Sequence, residues 1–301
     1  MTRPTILHMV TPEANLSPFD ANMAIDAGWQ HCLSYTGLER SAIAGLTQDA
    51  IFSRGPKGVR RTGLFVGGRD QNTAMDMLEA ARAAMVPPFE ISVFADPSGA
   101  FTTAAGMIAC VERVLRRNQD DGLAGRRVLV FGGTGPVGTV CATLAAQAGA
   151  MVSIVSHEGL AKATAAAEQC NDRFGVQLQG ADGSDDARVS SLLEGAEIVF
   201  SAAKAGVQVL RADHLRGAHR LLVACDVNAV PPEGIEGVGV MADGEPLSAG
   251  SGKARGIGAL AVGNVKYKAQ QALLTQMLET EKPVYLDFQH ALEAARAHTR
   301  S

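Results

Sequence analysis

An apolar run, Val128-Leu129-Val130-Phe131, leads without a break into Gly132-Gly133-Thr134-Gly135-Pro136-Val137-Gly138, and few other stretches limit the fold of a chain so strongly. Gly133, Gly135 and Gly138 fall at G-x-G-x-x-G spacing. In such a unit Gly133 is expected to allow the tight turn out of the strand. Gly135 leaves room for a pyrophosphate, and Gly138 lets the following helix pack close to the sheet. The helix then presents free N–H groups and the positive end of its dipole to the phosphates, so Thr134, Pro136 and Val137 join the expected cofactor-binding set. With 33 glycines in 301 residues the spacing alone is weak, because a tight turn can need glycine for packing only. The context favours the nucleotide. A strand precedes the glycines, an alanine-rich helix follows (Cys141 to Ala150), and a second strand is predicted at Met151–Val155.

An acid usually ends that second strand and bonds the ribose 2′-hydroxyl of NAD. This chain instead reads Ser156-His157-Glu158, with Lys162 one turn further on. Ser156 and His157 suit a 2′-phosphate or tolerate a 2′-hydroxyl, and Lys162 adds positive charge. The plainer alternative is a solvated helix start capped by Ser156. The expected cofactor is NAD or NADP, with weak discrimination between them.

From Arg126 the pattern is regular, with predicted strands at Val128–Phe131, Met151–Val155, Val176–Gln179, Ile198–Ser201 and Leu221–Ala224 separated by helical stretches. Such an order implies a parallel sheet covered on both faces, with ligand sites at the carboxyl ends of the strands. The first third also alternates: Thr5–Val10 as strand, Ser17–His31 as helix, Gly63–Gly67 as strand, Gln71–Met85 as helix, Glu90–Ala95 as strand, then a helix over Thr102–Arg117. Ser17, Pro18 and Asp20 mark the entry to the first helix as an N-cap, a proline at N1 and a carboxylate three residues on. Asn118 to Gly125 reads as a polar linker. The expectation is therefore an α/β protein of two domains. An N-terminal α/β substrate domain covers residues 1–122, and a Rossmann-like doubly wound parallel sheet covers 123–256. A Pro/Gly-rich segment from Pro231 and a loop with an edge strand over Gly237–Gly252 precede a long helix from near Ile257 toward Thr280, and residues 257–301 are expected to return to the first domain.

Several classes are set aside by composition. The net charge is −4 with Lys and Arg dispersed, so no basic stripe suggests nucleic acid. Apolar runs such as Leu221 to Cys225 are far too short to span a bilayer, and the first residues lack a signal-peptide pattern, so a cytoplasmic protein is expected. Five cysteines, an odd number with no C-x-x-C pair, and seven scattered histidines give neither a disulfide framework nor a metal site.

Three separate stretches carry a resemblance: the glycine run 132–138, Asp96-Pro97-Ser98-Gly99-Ala100-Phe101-Thr102-Thr103-Ala104-Ala105, and Gly263-Asn264-Val265-Lys266-Tyr267-Lys268. With Phe19-Asp20, Phe65-Val66-Gly67-Gly68 and Asp226-Val227-Asn228-Ala229-Val230-Pro231-Pro232, the chain resembles the methylene-tetrahydromethanopterin dehydrogenases of methylotrophic bacteria along nearly its whole length. The resemblance implies hydride removal from the methylene bridge between two nitrogens of a reduced pterin. The products would be a methenyl cation and a reduced nicotinamide, in formaldehyde oxidation. It also implies a homo-oligomer, trimer or hexamer, and Lys266 as the active-site lysine. The NADP-specific form is expected to carry an arginine near the end of the second strand; Ser156-His157 in its place favours the form that also uses NAD.

Hydride loss to give a cation stabilised by the substrate's own nitrogens needs no general base. It needs close approach of two rings and a matched electrostatic field, for which carboxylates suit. Asp20 and Asp96 are the candidates, against plain roles in a helix start and an Asx turn. Lys266 and Lys268 stand about 200° apart on a helix and cannot share one face, so Lys266 alone is carried forward. It would orient a substrate carbonyl or keep a carboxylate ionised; otherwise it is a solvated lysine. Ser201, Ala202 and Ala203 after the fourth strand, and Asp226 and Asn228 after the fifth, are expected to border the nicotinamide, with loop structuring as the alternative. Ser98, Thr102 and Thr103 are expected substrate contacts or the first turn of their helix. Rival readings are methylene-tetrahydrofolate as substrate, a dehydrogenase of shikimate-like acids, and a non-catalytic NAD(P) sensor.

Overall fold

A computed structural model describes residues 3–118 and 122–300, so part of the expected linker, residues 119–121, lies outside the described residues. The chain divides into two compact units. One comprises the chain up to Thr102 together with Tyr267–Ala295, and the other Thr103–Lys266 together with the residues from Arg296. Each of the three changes between them, after Thr102, Lys266 and Ala295, falls inside a helix rather than in the linker.

In the first unit β1 (Ile6–Val10) leads through α1 (Pro18–Asp26) to β2 (His31–Tyr35). Then follow α2 (Arg40–Phe52), α3 (Gly55–Val59), β3 (Thr62–Val66), α4 (Gln71–Ala83) and β4 (Ser92–Ala95). A 3-10 turn, Pro97–Gly99, opens into α5 (Ala100–Arg117), which carries the chain into the second unit. There the order is β5 (Arg127–Phe131), α6 (Pro136–Gln147), β6 (Met151–Ser156), α7 (Leu160–Phe174), β7 (Leu178–Asp182), α8 (Asp186–Glu194), β8 (Ile198–Ser201), α9 (Ala212–Arg216), β9 (Val223–Asp226), β10 (Asp243–Pro246) and β11 (Arg255–Ile257). The chain returns along α10 (Ala259–Glu279) to β12 (Tyr285–Leu286) and α11 (Phe288–Thr299).

The first sheet has the order β2-β1-β3-β4-β12 and is parallel throughout. Every residue of β3 and β4 is buried, as expected for strands covered by helices on both faces. The second sheet has the order β7-β6-β5-β8-β9-β11-β10, with only the β10 pairing antiparallel. Both are doubly wound orders, 2-1-3-4-5 and, for the six parallel strands of the second sheet, 3-2-1-4-5-6, whose ligand crevice opens beyond the carboxyl ends of the strands where the order reverses. The second is the Rossmann arrangement.

The returning segment packs into the first unit. Trp29 is buried and donates its indole N–H to the Leu274 carbonyl at 3.2 Å. Phe101 meets Phe288 edge to face at 5.5 Å. Gly63 lies under Trp29 so closely that a Cβ there would meet the indole at 2.6 Å and the Met277 methyl at 3.0 Å.

Some expected boundaries shift. The helix read over Ser17–His31 ends at Asp26, because Gly28 takes a φ of 103° and reverses the chain so that Trp29 turns inward; His31 begins an edge strand instead. That strand, β2, is half exposed and pairs with β1 alone, so it lacks the apolar signal of a central strand. Ser17 precedes Pro18 in extended conformation but makes no side-chain cap. The strand predicted at Val176–Gln179 lies at Leu178–Asp182, and that at Leu221–Ala224 lies at Val223–Asp226. β12 and α11 were not anticipated; β12, two residues long, has meaning only as a partner for β4. Among the described residues no helix is long and apolar enough to cross a membrane.

Replacement of Gly63 by alanine is expected to destabilise the protein by about 1–3 kcal/mol, the usual range for overpacking a filled core. A thermal melt checks this, and an unchanged Tm would mean the Trp29 contact yields without cost.

Candidate functional site

In the second unit the turn after β5 is closed by backbone. Gly132, not Gly133, takes the left-handed conformation that releases the chain from the strand, with φ at 66°. A Cβ on Gly132 would meet the Ala203 amide nitrogen at 2.5 Å and the Ala202 carbonyl at 2.6 Å. The loop after β8 therefore lies directly against the glycine turn, an arrangement reinforced by the Ala202 N–H donating to the Phe131 carbonyl at 2.9 Å. Gly133 is enclosed by the Val130 carbonyl at 2.6 Å and by Ile154. At Gly138 a Cβ would come within 2.6 Å of Gly133 Cα, so α6 packs onto the turn itself.

Gly135 differs from the other three. Its Cβ would meet nothing nearer than the Gly132 carbonyl at 3.4 Å, so its missing side chain is not explained by packing. It is the N-cap of α6, has Pro136 at N1, and supplies no side-chain cap to the helix. Without an acid in the first turn, this helix end is chemically matched to an anion. A pyrophosphate fits here for that reason.

β6 ends at Ser156, which is buried and accepts the Glu158 N–H on its hydroxyl oxygen at 3.1 Å. His157 and Lys162 are exposed. On the other side of the switch point Ser201 is buried at the end of β8, and Ala202 and Ala203 are half buried. Asp226, at the end of β9, turns its carboxylate inward and accepts from Gly234 N at 2.7 Å, Ile235 N at 3.1 Å and Asn228 N at 3.1 Å. Burial pushes its carboxyl above the usual range, although these donors pull the other way. Asn228 Oδ1 accepts from Gly206 N at 3.1 Å and Val230 N at 3.0 Å, while its Nδ2 donates to the Pro232 carbonyl at 2.7 Å. Asp226 thus folds the loop after β9 onto its own strand end, and Asn228 ties that loop to Gly206 in the loop after β8.

In the first unit Asp96 directly follows β4, and Asp20 lies on α1, the helix that follows β1. Asp96 is fully buried, and its carboxylate accepts from Phe101 N at 2.9 Å, Thr102 N at 3.2 Å and the Thr102 hydroxyl at 2.6 Å. Its charge thus caps α5, and Thr102, also fully buried, is engaged in that cap. Ser98 is exposed in a left-handed conformation, φ 52°, and donates its hydroxyl to the Gly68 carbonyl at 2.8 Å. A non-glycine residue held there costs of order 1–3 kcal/mol and is fixed by its surroundings. Thr103 follows on α5, half buried.

Asp20 lies on α1 and is buried rather than solvated at a helix start. It accepts from Gln270 Nε2 at 3.0 Å. Gln270, itself fully buried and with a side-chain oxygen lacking a hydrogen-bond partner, was not identified from the sequence. It lies four residues after Lys266 on α10, so the two share a helix face. That spacing was the available signal. Lys266 is half buried and Lys268 exposed, and α10 crosses α5 so tightly that a Cβ on Gly106 would meet the Lys266 backbone nitrogen at 3.4 Å.

Two glycine variants are expected to separate packing from binding. Gly138→Ala should lower both Tm and nicotinamide nucleotide affinity. Gly135→Ala should keep the wild-type Tm yet weaken binding by on the order of tenfold or more, since only the bound phosphate meets the new methyl. Calorimetric titration with NADH reads both; unimpaired binding by Gly135→Ala would remove the phosphate from this turn.

Comparison with known proteins adds the family. Residues 18–98 match the family described as methylene-tetrahydromethanopterin dehydrogenase, N-terminal, and residues 125–218 match the NmrA-like family. The chain is 46% identical over 292 residues to the NAD(P)-dependent methylenetetrahydromethanopterin dehydrogenase of Methylorubrum extorquens, covering 97% of each chain. It is 31% identical over 280 residues to the Bifunctional protein MdtA of the same organism, covering 93% of this chain and 94% of that one. Among solved structures, shikimate 5-dehydrogenase of Listeria monocytogenes, in complex with shikimate and NAD, superposes with a TM-score of 0.54 at 17% identity and 96% coverage of both chains. That similarity concerns the fold alone. At 46% identity along almost its full length, the chain belongs to the methylene-tetrahydromethanopterin dehydrogenase family.

Proposed function

We propose that this protein removes a hydride from the methylene bridge of methylene-tetrahydromethanopterin and passes it to NAD+ or NADP+, giving the methenyl compound. The near full-length identity to the NAD(P)-dependent relative carries this reading over the folate, shikimate and sensor alternatives. In this reading the first unit takes the pterin and the second the nucleotide, in a cytoplasmic homo-oligomer. The half-exposed edge strand β2, with Leu33 on its surface, is open to a further subunit.

When bound, the nicotinamide supplies the hydride acceptor. The chain's own contribution is placement and field. The Gly132–Gly138 turn holds the pyrophosphate through backbone, and Asp226 and Asn228 fix the loops after β9 and β8 that border the ring, acting as positioning residues. Asp20 brings a buried carboxylate whose partner Gln270 sets its orientation, and its negative charge suits the cation that forms. Asp96 keeps the Pro97–Gly99 turn and Ser98 in place by capping α5. Lys266, one helical turn before Gln270, orients the substrate or keeps a carboxylate ionised.

Spectrophotometric reduction of NAD+ and NADP+ with methylene-tetrahydromethanopterin and with methylene-tetrahydrofolate tests the assignment; turnover of only the folate would overturn it. Lys266→Ala is expected to lower kcat by about a hundredfold with Tm unchanged, a scale ordinary for one positioned group. Unchanged turnover rejects its role. The kcat/KM values for the two nucleotides should differ by less than about a thousandfold, on the order of 4 kcal/mol.

A further inference from the structure

In a doubly wound sheet the ribose 2′ position of a dinucleotide lies over the end of the strand that follows the glycine-loop helix, here β6. β6 does not end there alone. Ser156 is in register with Asp182 at the end of β7, and the Gly183 N–H donates to the Ser156 carbonyl at 2.9 Å, so the two strand ends form one ledge. Gly183 keeps the ledge close, since a Cβ there would meet Val155 at 2.6 Å.

β6 contributes no acid to the ledge, but β7 and the start of α8 contribute four charges: Asp182, Asp185, Arg188, and Asp186, which pairs with Arg211. Arg188 Nη1 stands 2.9 Å from Asp182 Oδ2, and its Nε stands 2.8 Å from Asp185 Oδ2. Each carboxylate is also fixed by backbone: Asp182 accepts from Ser184 N at 3.0 Å, and Asp185, the N-cap of α8, accepts from Arg188 N at 2.9 Å. The arginine side chain is the member free to turn. It is 55% exposed, and ion pairs so placed are modest, so a phosphate can displace the carboxylates at a cost of several-fold in affinity. A guanidinium binds phosphate oxygens two at a time, which the exposed His157 and Lys162 cannot do.

We propose that Arg188 sets the nucleotide preference of this protein: it turns from Asp182 and Asp185 to the 2′-phosphate of NADP, and remains with them when NAD is bound. The two carboxylates compete with the phosphate for one guanidinium. That competition keeps the preference near balance, where an uncontested arginine would drive it to NADP. The proposal rests on the dinucleotide reading of the Gly132–Gly138 turn.

Calorimetric titration of the full chain with adenosine 2′,5′-bisphosphate and with 5′-AMP tests it without turnover. Arg188→Gln should weaken the bisphosphate by on the order of tenfold and leave 5′-AMP within about twofold, and Arg188→Lys should recover part of the loss. Asp182→Asn, which keeps an acceptor for Ser184, should tighten the bisphosphate several-fold, and the NADP-to-NAD ratio of kcat/KM should move the same way through KM rather than kcat. If the wild-type chain binds both ligands and neither Arg188→Gln nor Asp182→Asn alters their ratio, the assignment of Arg188 is overturned while the glycine-turn reading stands. If the wild-type chain binds neither ligand, both fall.

Discussion

The arrangement of the second unit depends on one close approach of backbone to backbone, that of α6 to the turn after β5. Because Gly138 carries no Cβ, the helix starts against Gly133 Cα, and because Gly132 carries none, the Ala202–Ala203 segment closes on the other side of the same turn. Three backbone segments thereby meet at the switch point between β5 and β8, where a doubly wound sheet opens its crevice. Larger residues would drive these segments apart. Gly135 alone of the four glycines is not crowded, its nearest neighbour being the Gly132 carbonyl.

The first unit uses a different device, namely buried carboxylates matched to donors. Asp96 neutralises the first turn of α5 and so orders the strained Ser98, while Asp20 is held by a glutamine from a helix 250 residues away in sequence. Burying a carboxylate is costly unless its oxygens are bonded, so each of these residues fixes its partners as firmly as they fix it. The loops after β8 and β9 follow the same logic through Asp226 and Asn228, whose oxygens are engaged by backbone N–H groups. Residues singled out from the sequence as ligand contacts are thus engaged in holding the loops and helix ends that carry them.

How much was legible follows the range of the interaction. The strand, turn and helix around Gly132–Gly138 could be read because every member lies within about a dozen residues and strand and helix periodicities are local. The polar ends of β8 and β9 were found by the same rule. β2 was missed because an edge strand paired on one side needs little apolar alternation, and β12 because two residues carry no period at all. Gln270 escaped notice since its only mark is helical spacing from Lys266, and Arg188 since it reads as an ordinary charge at a helix start.

The sequence by itself determined the two α/β units, the glycine turn between β5 and α6, and the family, all of which depend on short-range pattern or on motifs kept in order. Only the tertiary structure decided that Gly132 rather than Gly133 makes the turn, that Asp96 caps α5, and that Asp20 answers to Gln270. A side chain's type states which bonds it can make. Which of them it does make depends on neighbours that packing brings from distant parts of the chain.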